Sequence, residues 1–95
     1  MSHNLPVHYS KLNAKTRKSV RDQYVKEQKG RCMFCNEKLT DDPPKPILDA
    51  WIDWGLFPTG FLKHPVHLQH NHDTDLTEGA VHSRCNAYMF QYEGR

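Results

Sequence analysis

Hydrophobic and polar positions along the chain fall into short periodic stretches separated by turn chemistry. Leu12, Val20, Tyr24 and Val25 mark a thin apolar stripe, with Asn13 placed to cap a helix and Gly30 placed to stop it. This pattern predicts a helix from Asn13 to Lys29 whose remaining faces carry cations. Residues 1–12, with Pro6 and no period, read as irregular. RCMFCNEKL (31–39) reads as a tight hairpin with its CxxC at the tip, and TDDPPKP (40–46) as a loop. Pro46 can open a short helix, ILDAWIDW, that Gly55 ends. Ile47, Leu48, Trp51, Ile52 and Trp54 would form its apolar side, followed by Leu56, Phe57, Phe61 and Leu62, and the whole aromatic stretch reads as core.

From Pro65 to His70 the pattern changes to period two. Val66 and Leu68 alternate with His67 and Gln69, as in a half-buried strand. Asn71–Gly79 is a polar loop, Gly79-Ala80-Val81 returns as a second strand, and a helix runs from Ser83 until Gly94 closes it. Val81, Ala87, Tyr88, Phe90 and Gln91 would straddle its inner and outer faces. The expected architecture is one α+β domain over residues 1–95. Residues 1–30 form a basic arm and helix, 31–39 a metal knuckle, 40–64 an aromatic insert, and 65–92 a strand–loop–strand–helix unit.

Composition sharpens this picture. Only 37% of the 95 residues are hydrophobic, little for a chain of this size to build a core from, so a staple is expected. Three cysteines cannot pair completely as disulfides. Cys32-Met-Phe-Cys35 and His82-Ser-Arg-Cys85 share one spacing, and together they use every cysteine. Two such pairs supply four nitrogen and sulfur ligands, the set for a closed tetrahedral Zn²⁺ site of structural type. Binding there would contribute directly to folding. No apolar run approaches the roughly 18 residues of a membrane span, and the first residues lack the apolar stretch of a signal peptide. A soluble, intracellular, cytoplasmic protein with no membrane partner is expected.

The charge is +2 overall but uneven. Residues 1–31 carry eight Lys and Arg against Asp22 and Glu27, a balance of +6 that leaves −4 for the rest. A basic arm on a slightly acidic, histidine-rich body points to a polyanionic partner, with nucleic acid favoured. Lys15, Lys18 and Arg21 of the helix, with Arg84, are the candidate phosphate contacts. His3, His8 and His64 read as surface or capping residues.

CxxC, then HLQHNH (67–72), then a polar loop, then GAVHSRCN (79–86): this order resembles the HNH endonucleases of the His-Me finger group. The nearest branch is the phage endonuclease VII type. The likeness covers residues 32–39 and 65–92 and says little of 1–30 and 40–64. It implies a small zinc-stabilised ββα-metal domain, with Cys32, Cys35, His82 and Cys85 on the structural zinc and His82 where the branch usually has cysteine. It implies His70 as the general base and His72 as a further active-site histidine. It also implies Asn86 as a ligand of a catalytic Mg²⁺ or Mn²⁺. Gln69 falls at the other ligand position, where Asp or His is usual. The implied activity is divalent-metal-dependent endonucleolytic hydrolysis of DNA in a phage or its bacterial host. The implied partners are DNA and either a second copy or larger phage DNA-processing machinery.

The chemistry also stands without the likeness. Phosphodiester hydrolysis needs a nucleophile, charge neutralisation on the phosphoryl oxygens and help for the leaving oxygen. A neutral imidazole can take a proton from water near neutral pH, and a divalent ion can act as a Lewis acid. Gln69 and Asn86 offer only amide oxygens, and His67, on the same strand face as Gln69, offers a nitrogen. Two other readings compete. One is a zinc-stabilised nucleic-acid-binding module without catalysis. The other is an adaptor whose knuckle and Trp51/Trp54 bind a protein.

Overall fold

The computed structural model describes residues 3–94. Helix α1 (Ala14–Glu27) begins at a reciprocal cap. The Asn13 side-chain oxygen accepts from the Thr16 backbone N–H at 2.9 Å, and the Thr16 hydroxyl accepts from the Asn13 N–H at 2.9 Å. Its apolar stripe is as thin as the sequence suggests. Val20 is fully buried, and Tyr24 and Val25 pack at the edge of the core.

Strands β1 (Val66–His70) and β2 (Thr77–His82) form a two-stranded antiparallel sheet, paired Val66 to His82 and Leu68 to Ala80. The register slips between Gln69 and His70, so that His70 pairs with Thr77 and Glu78 is passed over. β2 is buried at every position except Glu78. Helix α3 (Ser83–Glu93) follows β2 without a loop and ends at Gly94 in the left-handed conformation, φ 71°. Cys85, Ala87 and Met89 of α3 are buried. The core gathers Cys32 and Leu39 of the knuckle, Ile47, Ala80 and Val81 of β2, and Cys85 and Met89 of α3. Cys32 of the knuckle therefore belongs to the core itself, and Cys35 packs against it.

One polar side chain ties α1 to β2. Just past the helix end, Gln28 accepts from the Ala80 N–H at 2.9 Å and donates to the Ala80 carbonyl at 2.9 Å, as a neighbouring strand would. Met33 N–H donates to the same carbonyl at 3.0 Å. The approach is so close that a Cβ on Gly79 would stand 2.8 Å from the Gln28 oxygen and 3.0 Å from Met33. Gln28→Ala leaves the buried Ala80 N–H without its acceptor. It is expected to cost about 1–3 kcal/mol, seen as a lower midpoint in thermal denaturation with zinc content unchanged.

Five expectations are corrected. The helix expected from Pro46 to Gly55 is a single turn, α2 (Lys45–Leu48), with Pro44 at the cap. Beyond it Trp51, Ile52 and Asp53 lie outside any helix, and the Asp53 N–H donates to Gln91 Oε1 at 2.8 Å. Ile52 is therefore buried while Trp51 is 70% exposed and Trp54 39% exposed, so this stretch is largely a surface. The N-terminal segment, read as irregular, is clasped to the hairpin. Thr77 N–H donates to Val7 O at 2.9 Å, Tyr9 N–H donates to Asp75 O at 2.7 Å, and Tyr9–Lys11 forms a 3-10 turn. β2 begins at Thr77 rather than Gly79. On β1 the buried residue is Gln69, with Val66 and Leu68 half-buried. Among the described residues no helix is long and apolar enough to cross a membrane.

Candidate metal centre and adjoining polar cleft

Cys32 and Cys35 come from the knuckle, His82 from the last position of β2, and Cys85 from the first turn of α3. One ligand atom from each lies within 4.8 Å of the others. His82 Nδ1 stands 3.4 Å from Cys35 Sγ and 3.6 Å from Cys85 Sγ. Nitrogen and sulfur donors on one tetrahedral zinc would stand about 3.6 Å apart, given bonds of about 2.1 and 2.3 Å. The donor set and its spacing thus fit structural zinc. The outer contacts fit as well. His82 Nε2–H is shared between the Asp41 carbonyl at 2.8 Å and the Lys38 carbonyl at 3.0 Å, which places the proton on Nε2 and the lone pair on Nδ1. Cys32, Cys85 and His82 are buried and Cys35 is half-buried. The hydrogen bond from Cys85 holds the Cys32 thiol down, to about 4, and pushes the Cys85 thiol up, while burial pushes up Cys35. A bound cation would hold all three as thiolates.

Beside this centre lies an open cleft of about 300 Å³. Gln69, His70 and His72, from one short stretch at the end of β1, line it together with Asn86 of α3. So do His67 of β1 and, from α1, Arg17 and Arg21. The His70 ring stacks flat on Tyr9, with centroids 3.9 Å apart and planes 7° from parallel. Arg17 lies over the same Tyr9 ring at 4.8 Å, and His72 is 4.7 Å from His70. Burial, helped by His72, lowers the His70 pKa and keeps its imidazole neutral. Burial likewise lowers that of His67. His67 Nε2–H donates to the Phe61 carbonyl at 2.9 Å, and His67 Nδ1 accepts from the Asn86 amide at 3.0 Å. The Gln69 amide donates to the His70 carbonyl at 3.0 Å and lies 3.5 Å from Glu78 Oε1.

The expected cationic contacts divide. Arg21 lines the cleft. Lys18 is paired with Asp22 at 2.7 Å, and Lys15 is exposed on α1 away from the cleft lining. Arg84 lies over the Trp54 ring at 5.5 Å and lines a separate cleft with Asp41 and Asp42. Sequence reasoning missed Arg17 and Tyr9. Arg17 had a usable signal, since residues four apart share a helix face and Arg21 was already suspected. Tyr9 had none, because its place depends on the clasp to Asp75 and Thr77. His64, read as a surface residue, is exposed at the cleft margin. Comparison of the chain with family models, curated proteins and solved structures gave no match.

Proposed function

We propose that this chain is a divalent-metal-dependent endonuclease of the HNH type that hydrolyses DNA phosphodiester bonds, with β1, β2 and α3 as its ββα-metal unit. The observation that carries this reading is the convergence of Gln69, His70, His72 and Asn86 in one open cleft with Arg17 and Arg21. His70, neutral and held flat against Tyr9, is the base that takes the proton of the attacking water. His72 stands beside it, at the exposed end of the cleft. Arg17 and Arg21 offset phosphate charge and set the strand's position. A divalent ion, Mg²⁺ or Mn²⁺, held by Asn86 and by Gln69 or a neighbouring donor, would supply Lewis acidity at the phosphoryl and leaving oxygens. The zinc centre fixes the start of α3, and with it Asn86, against the hairpin. A cleft of this size addresses one strand, so a double-strand cut takes a second copy or a larger DNA-processing assembly.

The test is nicking of supercoiled plasmid by the zinc-loaded protein with added Mg²⁺ or Mn²⁺. Nicked circles that depend on the added ion are expected. Salt-dependent DNA binding without nicking would favour the second reading, a non-catalytic zinc-stabilised nucleic-acid-binding module. The observation on that side is Gln69, a neutral and almost wholly buried amide whose Nε2 is held within its own strand.

On this reading the phosphate contacts of α1 are Arg21, already expected, and Arg17 beside it in the cleft, rather than Lys15 and Lys18. Changing both to Ala is expected to weaken binding to all DNA sequences alike. It should flatten the slope of log affinity against log salt by about 1.8, since each phosphate contact contributes about 0.9. Lys15→Ala should leave the slope nearly unchanged. A salt titration by fluorescence anisotropy reads both, and an unaltered slope in the double variant would remove α1 from the interface.

A further inference from the structure

His67 and His82 present themselves in the same way. At the cysteine cluster, His82 gives its Nε2–H to backbone carbonyls and turns Nδ1 toward the other donors. In the cleft, His67 gives its Nε2–H to the Phe61 carbonyl at 2.9 Å and turns Nδ1 toward Asn86 at 3.0 Å. The edge-on contact with the Phe61 ring, centroids 4.5 Å apart and planes at 77°, further fixes the imidazole. One ring nitrogen anchored to a carbonyl, with the other facing a polar group, is how proteins orient a metal-binding histidine.

The spacing suits an ion. Two neighbouring donors at about 2.1 Å from one octahedral cation stand about 3.0 Å apart. A half-turn of the Asn86 amide puts Oδ1 where Nδ2 now stands, which gives an oxygen and a nitrogen donor at that separation from Nδ1. Gln69 is differently placed. It is 2% exposed, against the half-buried His67 and Asn86, and its Nε2 is held by the His70 carbonyl of its own strand.

We infer that His67 and Asn86 form the cation-binding pair of the cleft, with His67 in place of Gln69. The imidazole nitrogen favours a borderline ion such as Co²⁺ or Ni²⁺, and to a smaller degree Mn²⁺, over Mg²⁺. A role for this pair in cleavage rests on the nuclease reading above, whereas its existence rests on geometry alone. Water and a DNA phosphate complete the shell.

The experiment uses the full zinc-loaded chain and Mn²⁺. Loss of the free-ion paramagnetic resonance signal gives the affinity, and electron-spin-echo modulation of the bound ion detects coupled nitrogen. The wild type is expected to bind Mn²⁺ in addition to its zinc and to show imidazole nitrogen coupling. That coupling should persist in Gln69→Ala and in His70→Ala and vanish in His67→Ala. Absence of coupling in the wild type, or its survival in His67→Ala, overturns the site. If His67→Ala fails to take up zinc, Asn86→Asp decides in its place. An anionic oxygen beside Nδ1 should tighten Mn²⁺ by about tenfold with the nitrogen coupling kept. Unchanged affinity overturns the pair. Cleavage is scored separately. Nitrogen-coupled Mn²⁺ in a protein that leaves DNA intact would overturn the nuclease reading and keep the site. Cleavage with Mn²⁺ bound through oxygen alone would do the reverse.

Discussion

Cys85→Ala, or exposure of the wild type to a strong chelator, is expected to unfold the domain. Cys32 and Cys85 sit inside the hydrophobic cluster, 2% and 0% exposed, so two of the four residues that would hold the ion are also core residues. The cluster joins the knuckle to the β2–α3 junction, and with 37% hydrophobic residues the chain has little apolar surface with which to hold these parts together otherwise. Structural zinc binds small domains with about 10–16 kcal/mol. Total stabilities of single domains are only about 5–15 kcal/mol, so losing the ion removes most or all of the margin. Cys35→Ala should act in the same direction. His82→Cys differs, because it keeps four zinc ligands but loses the N–H that bonds the Asp41 and Lys38 carbonyls. It should retain zinc and lose about 1–3 kcal/mol of stability. Elemental analysis with far-ultraviolet circular dichroism checks the set. A chain that stays folded and zinc-free after chelation would show the cluster to be a set of buried thiols.

Why the centre was legible, and the aromatic insert was not, has a physical reason. A metal turn is local. Two ligands separated by two residues can reach one ion whatever the rest of the chain does, so the spacing of Cys32–Cys35 and His82–Cys85 carried the information. The ends of α1 and α3 were legible on the same ground, since Asn13 and Gly94 act on their own backbone neighbours. Trp51 and Trp54 were misjudged because their burial depended on a helical period that ends after Leu48. Asp53 is drawn to Gln91 of α3, a contact between residues 38 apart that no local pattern reports. Gln69 was read as the polar partner in an alternating strand, yet it faces inward, where hydrogen bonds to the His70 carbonyl and toward Glu78 make its burial tolerable. Tyr9 belongs to the same class. Its stacking on His70 needs the N-terminal segment to reach back to Asp75 and Thr77.

His70→Ala is expected to keep the fold, the zinc and DNA binding while lowering cleavage by at least about 10²-fold, the lower end of what a general base contributes. His70 is not a ligand of the cysteine cluster, and it is half-buried at the end of β1, so its loss opens space beside Tyr9 without exposing the core. The cleft cations Arg17 and Arg21 are untouched by the change, so the salt-dependent part of DNA affinity should stay close to that of the wild type. Free imidazole should restore part of the lost rate, because the gap left against Tyr9 has the shape of the ring that was removed. That rescue separates a missing base from a disturbed site. His72→Ala is the control within the same cleft. Its ring is exposed and 4.7 Å from His70, so it should cost less and respond less to imidazole. Single-turnover cleavage of a labelled duplex with Mn²⁺ gives the comparison. A near-wild-type rate in His70→Ala, with the large loss appearing in His72→Ala, would transfer the base to His72, the only other histidine ring recorded within stacking distance of His70 among the described residues.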